Sequence, residues 1–123
     1  ATARDYARFE QMLLNGGELE GKRILAPRTV EMMRTDQIPG LFRGMAGNEE
    51  GVGFGYGVTV TLDSTKARWR RSNGSAGWSG AFGTLSWHDP AEQIVGVLML
   101  QQNSSQVQVE FGDAIMKAIL PSK

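Results

Sequence analysis

The chain contains no cysteine, which removes disulfides, thiolate nucleophiles and soft metal sites together and leaves the redox compartment open. It has a single histidine, His88, and its carboxylates do not cluster at ligand spacing, so the pattern points to no metal centre. Charge of one sign is missing as well. Thirteen basic residues balance thirteen acidic ones, so no global field draws nucleic acid or an anionic membrane to the surface. No apolar run reaches bilayer length, so no membrane span is expected; the longest run, Ile94 to Leu100, has the length of a buried strand. The N-terminus carries neither a basic start nor a signal-like apolar stretch, and the chain opens almost directly on a helix cap, as expected of a piece of something longer. What is present is 123 residues, 41% of them hydrophobic: enough for one core, and hence one domain or fragment spanning residues 1–123.

Thr2 followed by Asp5 suits a helix cap, Tyr6, Phe9 and Leu13 recur at helical spacing, and Gly16-Gly17 supplies an end, which predicts a helix over about residues 3–15. After a turn at Glu20-Gly21-Lys22, Pro27 fits a first helical position, with Val30 and Met33 on the buried side of a short helix ending near Thr35. From Asp36 to Gly51 the chain is rich in glycine without periodicity, which predicts a long surface loop. Phe54, Tyr56, Val58, Val60 and Leu62 alternate with glycine and threonine, the clearest period-two pattern in the chain, and predict one strand. Gly53, Gly55 and Gly57 on its bare face suggest close approach of another backbone and not a phosphate cradle, since no Gly-x-Gly-x-x-Gly register is present. Further strands are expected over residues 67–72, 77–87 and 93–101, the last central and covered on both faces. His88-Asp89-Pro90 shapes a hairpin turn. Ser105 with Gln108 forms a second capping box, followed by a stripe of Val107, Phe111, Ile115 and Ile119. The six methionines are scattered and read as core filling. The expected class is α+β: an antiparallel sheet of about three to four strands flanked by helices.

The segment Gly77-Trp78-Ser79-Gly80-Ala81-Phe82-Gly83-Thr84, with the apolar strand and His88-Asp89-Pro90 that follow, resembles the Lys-Thr-Gly strand region of serine beta-lactamases and penicillin-binding proteins. Within that family, which includes class C beta-lactamases, the likeness is to the variant form seen in esterase relatives, where Trp-Gly-Gly or His-Gly-Gly type sequences stand in its place. The stretches from Thr2 to Gly17 and from Ile24 to Val30 are similar to the helix pair preceding that strand, so the resemblance covers nearly the whole chain and implies the C-terminal portion of that fold. It implies that Trp78 stands at the lysine position, Ser79 at the threonine and Gly80 at the glycine, with the three lining the acyl pocket. The Ala81 backbone N–H would then be one donor of the oxyanion hole. An indole in place of the lysine offers an apolar wall and weakens carboxylate recognition, a departure that favours esterase over beta-lactamase. The resemblance implies a small-molecule ester or amide substrate, no cofactor or metal, and a bacterial periplasmic or secreted setting.

Chemistry of this kind needs a serine nucleophile with a lysine one helical turn later. The residues three before Lys22, Lys66, Lys117 and Lys123 are Leu19, Asp63, Ala114 and Leu120, so this chain has no such pair. Nor does Tyr6 or Tyr56 begin a Tyr-x-Asn element. The chain alone is therefore expected to be inactive, and its partner would be an N-terminal catalytic segment of the same protein or a companion chain. The rival reading is a noncatalytic binding or assembly module that keeps the fold and groove. The two diverge on an upstream Ser-x-x-Lys segment, and an exposed apolar sheet edge would be the structural sign of the N-terminal strands that the family sheet contains; such an edge would also favour self-association or strand pairing.

Three other features stay with simpler readings. Gly77-Trp78-Ser79-Gly80 is similar to the nucleophile elbow of alpha/beta-hydrolases, but Ala81 breaks the pattern; with His88 in the same strand, an odd offset puts the two side chains on opposite faces ~30 Å apart. Trp78 and Phe82, on one strand face, would by themselves suit a core. Arg68, Arg70 and Arg71 form the one basic cluster, and with no field behind them they suit a solvated strand edge better than a phosphate site.

Overall fold

The computed structural model describes residues 2–119. Thr2 Oγ1 accepts the Asp5 N–H at 3.1 Å and starts α1 (Ala3–Leu14). Gly16 and Gly17, both at positive φ, end it by returning their N–H groups to Leu13 and Met12, a reversal that a side chain at these positions would strain. A two-residue hairpin turn with Glu20 and Gly21 at positive φ joins β1 (Glu18–Leu19) to β2 (Lys22–Arg23). Pro27 opens α2 (Pro27–Met33), which buries Val30 against Met12 and Leu13 of α1, with Met33 packed alongside. Each of these buried aliphatics contributes about 2 kcal/mol by leaving water.

A five-stranded antiparallel sheet follows, in the order β3 (Val52–Phe54), β4 (Thr59–Thr61), β5 (Ala76–Ser79), β6 (Leu85–Asp89) and β7 (Ile94–Leu98). The α+β class is as expected, and the sheet has more strands because two segments that read as single strands are hairpins. In the first, Gly55 N–H bonds Val58 O at 2.9 Å and Gly57 sits at φ 78°, so the alternation from Phe54 to Leu62 folds back on itself. Two of the three bare glycines meet close neighbours: a Cβ on Gly55 would collide with the Met33 carbonyl, and one on Gly53 with the Asp36 side chain, whereas Gly57 faces open space. In the second, residues 80–84 turn between β5 and β6, pairing Ser79 with Leu85 and Ala76 with His88.

Residues 68–75 form no strand. Asp63 caps the four-residue α3 (Ser64–Ala67), and Arg68 at φ 63° ends it. β7 is an edge strand of this sheet and not a central one, although α1 and α4 (Ser105–Ile119) approach it from opposite sides. Pairing places Ser79, Leu85, Trp87 and Leu98 on the face beneath α4, and Trp78, Ser86, His88 and Val97 on the face beneath α1. The α4 cap is Ser104, whose Oγ accepts the Val107 N–H, one residue earlier than the sequence suggests; Gln108 reaches instead to Gly83 O at 3.0 Å. That rotation turns Gly112 and Met116 inward, and Met116 joins Leu85 and Trp87, while Val107 and Ile119 of the expected stripe are exposed. The α1 stripe departs similarly: Leu13 is buried, but Tyr6 and Phe9 are 42% and 44% exposed and pack edge-to-face against each other. No helix among the described residues is long and apolar enough to cross a membrane.

Candidate functional site

β5 delivers Trp78 and Ser79 to the end of the sheet, where the chain turns sharply. Gly80 N–H bonds Thr84 O at 2.8 Å, and Gly83 N–H bonds Gly80 O at 3.1 Å. Gly80 is a glycine for a local reason, since a Cβ there would collide with Thr84 Oγ1; Gly83, at φ 100°, lies against the Gln102 carbonyl. Between these two bonds the Ala81 and Phe82 N–H groups meet no acceptor among the described residues. The turn thus holds a pair of exposed backbone donors in a fixed loop.

This turn forms one side of an open concavity of about 550 Å³ lined by Trp78, Ser79, Gly80 and Ala81 together with Thr84, Leu85 and Ser86, and by Tyr6 and Met99. All four residues singled out from the sequence are brought together there. None of the lining side chains is charged. Trp78, 38% exposed, is held from behind: its indole meets the Phe54 ring edge-on with centroids 5.5 Å apart, and Phe54 in turn packs against Phe42 at 5.1 Å. The alternative of a core pair with Phe82 is corrected by the turn, which leaves Phe82 74% exposed. Tyr6 and Met99 were not found by sequence reasoning. Both matched core patterns, and only the docking of α1 across the end of the sheet reveals that they border the concavity.

Ser79 and His88 lie in paired strands, three ladder positions apart, which brings them to ~10 Å along the strand direction in place of the ~30 Å expected. They remain on opposite faces of the hairpin, so they form no dyad. His88 Nδ1 instead lies 2.7 Å from Glu10 Oε2, and Ser86 Oγ donates to Glu10 Oε1 at 2.9 Å, all three residues being buried under α1. Asp89 performs the turn role read from the sequence: Oδ1 accepts the Ala91 and Glu92 N–H groups, and Oδ2 accepts that of Ser72. In the basic cluster Arg68 and Arg70 are exposed, as expected, though no strand carries them. Arg71 departs: it is half-buried, with its guanidinium 3.9 Å from the Trp69 ring centroid and its stem against Gly112 of α4. Among the described residues, no group of histidine, aspartate and glutamate could hold a metal ion.

Comparison with known proteins gives a consistent result. The family model described as Beta-lactamase matches residues 1–119. Protein Rv1367c of Mycobacterium tuberculosis is 36% identical over 94% of this chain. Among solved structures, EstCE1, described as a hydrolase with promiscuous acyltransferase activity, superposes with a TM-score of 0.74 at 25% identity over 94% of the chain. A penicillin-binding protein homologue from Caulobacter crescentus superposes at 0.75 and 20% identity, also over 94%, a likeness of fold. The chain spans about 30% of the length of the mycobacterial protein and of EstCE1, and 31% of the Caulobacter homologue.

Proposed function

The chain belongs to the beta-lactamase family, and from that premise we propose that it is the C-terminal portion of a serine hydrolase working through an acyl-enzyme, with esters as its preferred substrates. The observation that carries the reading is the turn at Gly80–Gly83: it presents Ala81 N–H without an acceptor at the lip of an uncharged concavity walled by a braced indole. The nucleophile lies outside this chain, in an upstream segment or a companion chain. Its serine oxygen adds to the substrate carbonyl carbon, the carbonyl electron pair moves to oxygen, and Ala81 N–H holds that oxyanion. Collapse expels the alcohol, which takes the proton removed from the serine, and water then repeats the sequence to release the acid. Trp78 walls the acyl pocket, while Ser79 and Gly80 shape its floor.

The uncharged lining favours an ester over a substrate that must be held by a salt bridge at this wall, and the hydrolase description of EstCE1 lends support. The upstream segment has two places to dock. One is the outer edge of β7, whose residues Ile94 to Leu98 are all isoleucine, valine, glycine or leucine, with neither charge nor proline to block pairing. The other is the Tyr6–Phe9 side of α1. The same apolar edge favours the second reading, an assembly module that pairs strands without catalysis.

Intact-mass analysis of the full-length gene product after treatment with a fluorophosphonate and, separately, a penicillin tests the proposal. An adduct upstream of Ala1 is expected, with the fluorophosphonate as the preferred probe. An adduct on Ser79 would overturn the role given to this chain, and no adduct on any species would favour the assembly module.

A further inference from the structure

The concavity beside the turn is bordered at its inner end by Ser86. Ser86 pairs directly with Trp78 across the β5–β6 ladder, and both side chains face α1. The other serine of the lining, Ser79, is the next residue along β5 and points to the opposite face of the sheet. On α1, Tyr6 and Glu10 stand one helical turn apart. Tyr6 borders the concavity, while Glu10 lies buried behind it and reaches it only through Ser86.

A serine hydroxyl has one proton and two lone pairs. The Ser86 proton is committed, because Oγ lies 2.9 Å from Glu10 Oε1 and donates to it. Glu10 Oε2 is engaged separately, 2.7 Å from His88 Nδ1. Whether the proton of that second contact sits on the nitrogen or on Oε2, Oε1 carries none, so it accepts from Ser86 in both states. Glu10 and His88 are 2% and 1% exposed, and water does not compete for the carboxyl group. Turning the hydroxyl away would strand a buried oxygen, so the orientation is fixed. Ser86 therefore offers the concavity lone pairs alone, whereas the Ala81 N–H offers a proton alone. Ala81 is three residues beyond Trp78, the partner of Ser86, so the two contacts stand no more than ~10 Å apart along β5, the reach of an acyl chain of about six carbons. An ammonium is a poor match for the Ser86 end, since no charged side chain lines the concavity to offset its desolvation. A hydroxyl fits, as a neutral donor that brings no carbonyl to meet the same lone pairs.

We propose that Ser86 is a specificity-determining residue that accepts a hydroxyl proton from the far end of the acyl chain, and that Glu10 is a positioning residue that fixes Ser86 as an acceptor. The substrates so selected are hydroxyacyl esters, with the acyl oxygen on Ala81 N–H and the distal hydroxyl on Ser86 Oγ. The link to substrate rests on the acyl-transfer reading; the acceptor site does not. Glu10 thus acts on the concavity without touching what binds there, and His88 holds its second oxygen.

The test uses the full-length gene product in two arms. In the first, tryptophan emission follows the binding of three methyl ketones, which cannot be hydrolysed, since Trp78 lines the concavity. They are 7-hydroxyheptan-2-one, 7-fluoroheptan-2-one, whose fluorine is of similar size but carries no proton, and octane-2,7-dione, whose second carbonyl only accepts. The wild type is expected to bind the hydroxyketone about tenfold more tightly than either of the others. That preference is lost in Ser86→Ala and weakened severalfold in Ser86→Cys, which keeps a proton for Glu10 but is a weak acceptor. Glu10→Ala frees the hydroxyl to turn and should raise the affinity for the dione to that for the hydroxyketone, a gain that lost stability would not produce; if that variant does not fold, Ser86→Cys carries the comparison. In the second arm, kcat/KM is compared for methyl 6-hydroxyhexanoate and methyl 6-fluorohexanoate. The wild type is expected to favour the hydroxy ester about tenfold, and Ser86→Ala to reduce the ratio to about one. No saturable response, or equal affinities for the three ketones, would overturn the site. A dione bound as tightly as the hydroxyketone by the wild type would overturn the fixed orientation of Ser86. A Ser86-dependent preference among the ketones with none between the esters would overturn the link to the substrate. The same preference in a protein that turns over neither ester and takes no fluorophosphonate would keep the site and remove the hydrolase reading.

Discussion

The β5–β6 hairpin has two ends that could hardly differ more. At one end, polar groups are buried and most are paired: Glu10 binds both His88 and Ser86, and Asp89 holds three backbone N–H groups, while His88 Nε2 and the Trp87 indole N–H find no partner among the described residues. At the other, apolar groups stand in solvent and backbone donors go without partners: Phe82 projects outward, Trp78 is partly exposed, and Ala81 N–H is free among the described residues. A buried polar group left without a partner costs about 1–3 kcal/mol, whereas an exposed donor costs little because water serves it. The closed end therefore fixes the hairpin, and the open end keeps its donors accessible. Buried and exposed polar groups are separated along a single pair of strands.

Substitutions can break that contrast. Glu10→Ala, at the closed end, strands the buried His88 and Ser86 side chains and should lower stability by about 3 kcal/mol, read by denaturant unfolding. Asp89→Ala removes the acceptor of three N–H groups and should lower it by about 2 kcal/mol in the same measurement. Trp78→Ala, at the open end, should lower stability by only about 1 kcal/mol, the worth of its contact with Phe54, while reducing ester turnover by the full-length protein about tenfold. A larger stability loss than for Asp89→Ala would show that the open end is structural after all. The smallest effect concerns Arg71. Burial lowers its folded pKa to about 10, below the ordinary arginine value, so only between the two does the unfolded chain hold more protons, and only there does the shift make stability rise with pH. Arg71→Met should therefore leave the shape of the stability profile between about pH 5 and 9 unchanged, as thermal melts across that range would reveal.

The division also explains what could be read from the chain. Thr2, Gly16-Gly17, Pro27 and Asp89 act through neighbours a few residues away, and each does what its local pattern implies. The hairpin at Gly55–Val58 was hidden because alternation continues through its turn, and a glycine already part of the pattern supplies the positive φ. The Trp78–Ala81 segment was legible through family likeness, and the structure gathers it around one concavity. Tyr6 and Met99 were not legible, because they meet that concavity through tertiary docking, which leaves no mark in local spacing. Glu10 gave no signal for the same reason: an acidic residue in an amphipathic helix reads as solvated until a histidine and a serine from a distant strand are placed opposite it.

The turn at residues 80–83 carries a signature independent of any substrate. Gly80 and Gly83 have their amide hydrogens bonded within the loop, while those of Ala81 and Phe82 between them do not. In deuterated solvent the four amides should exchange in the order slow, fast, fast, slow, with the middle pair near the rate of an unstructured peptide. An acyl group settling its oxygen on Ala81 would slow one of the fast pair and leave the other, so that occupancy of the proposed oxyanion position would register as a change at a single backbone hydrogen.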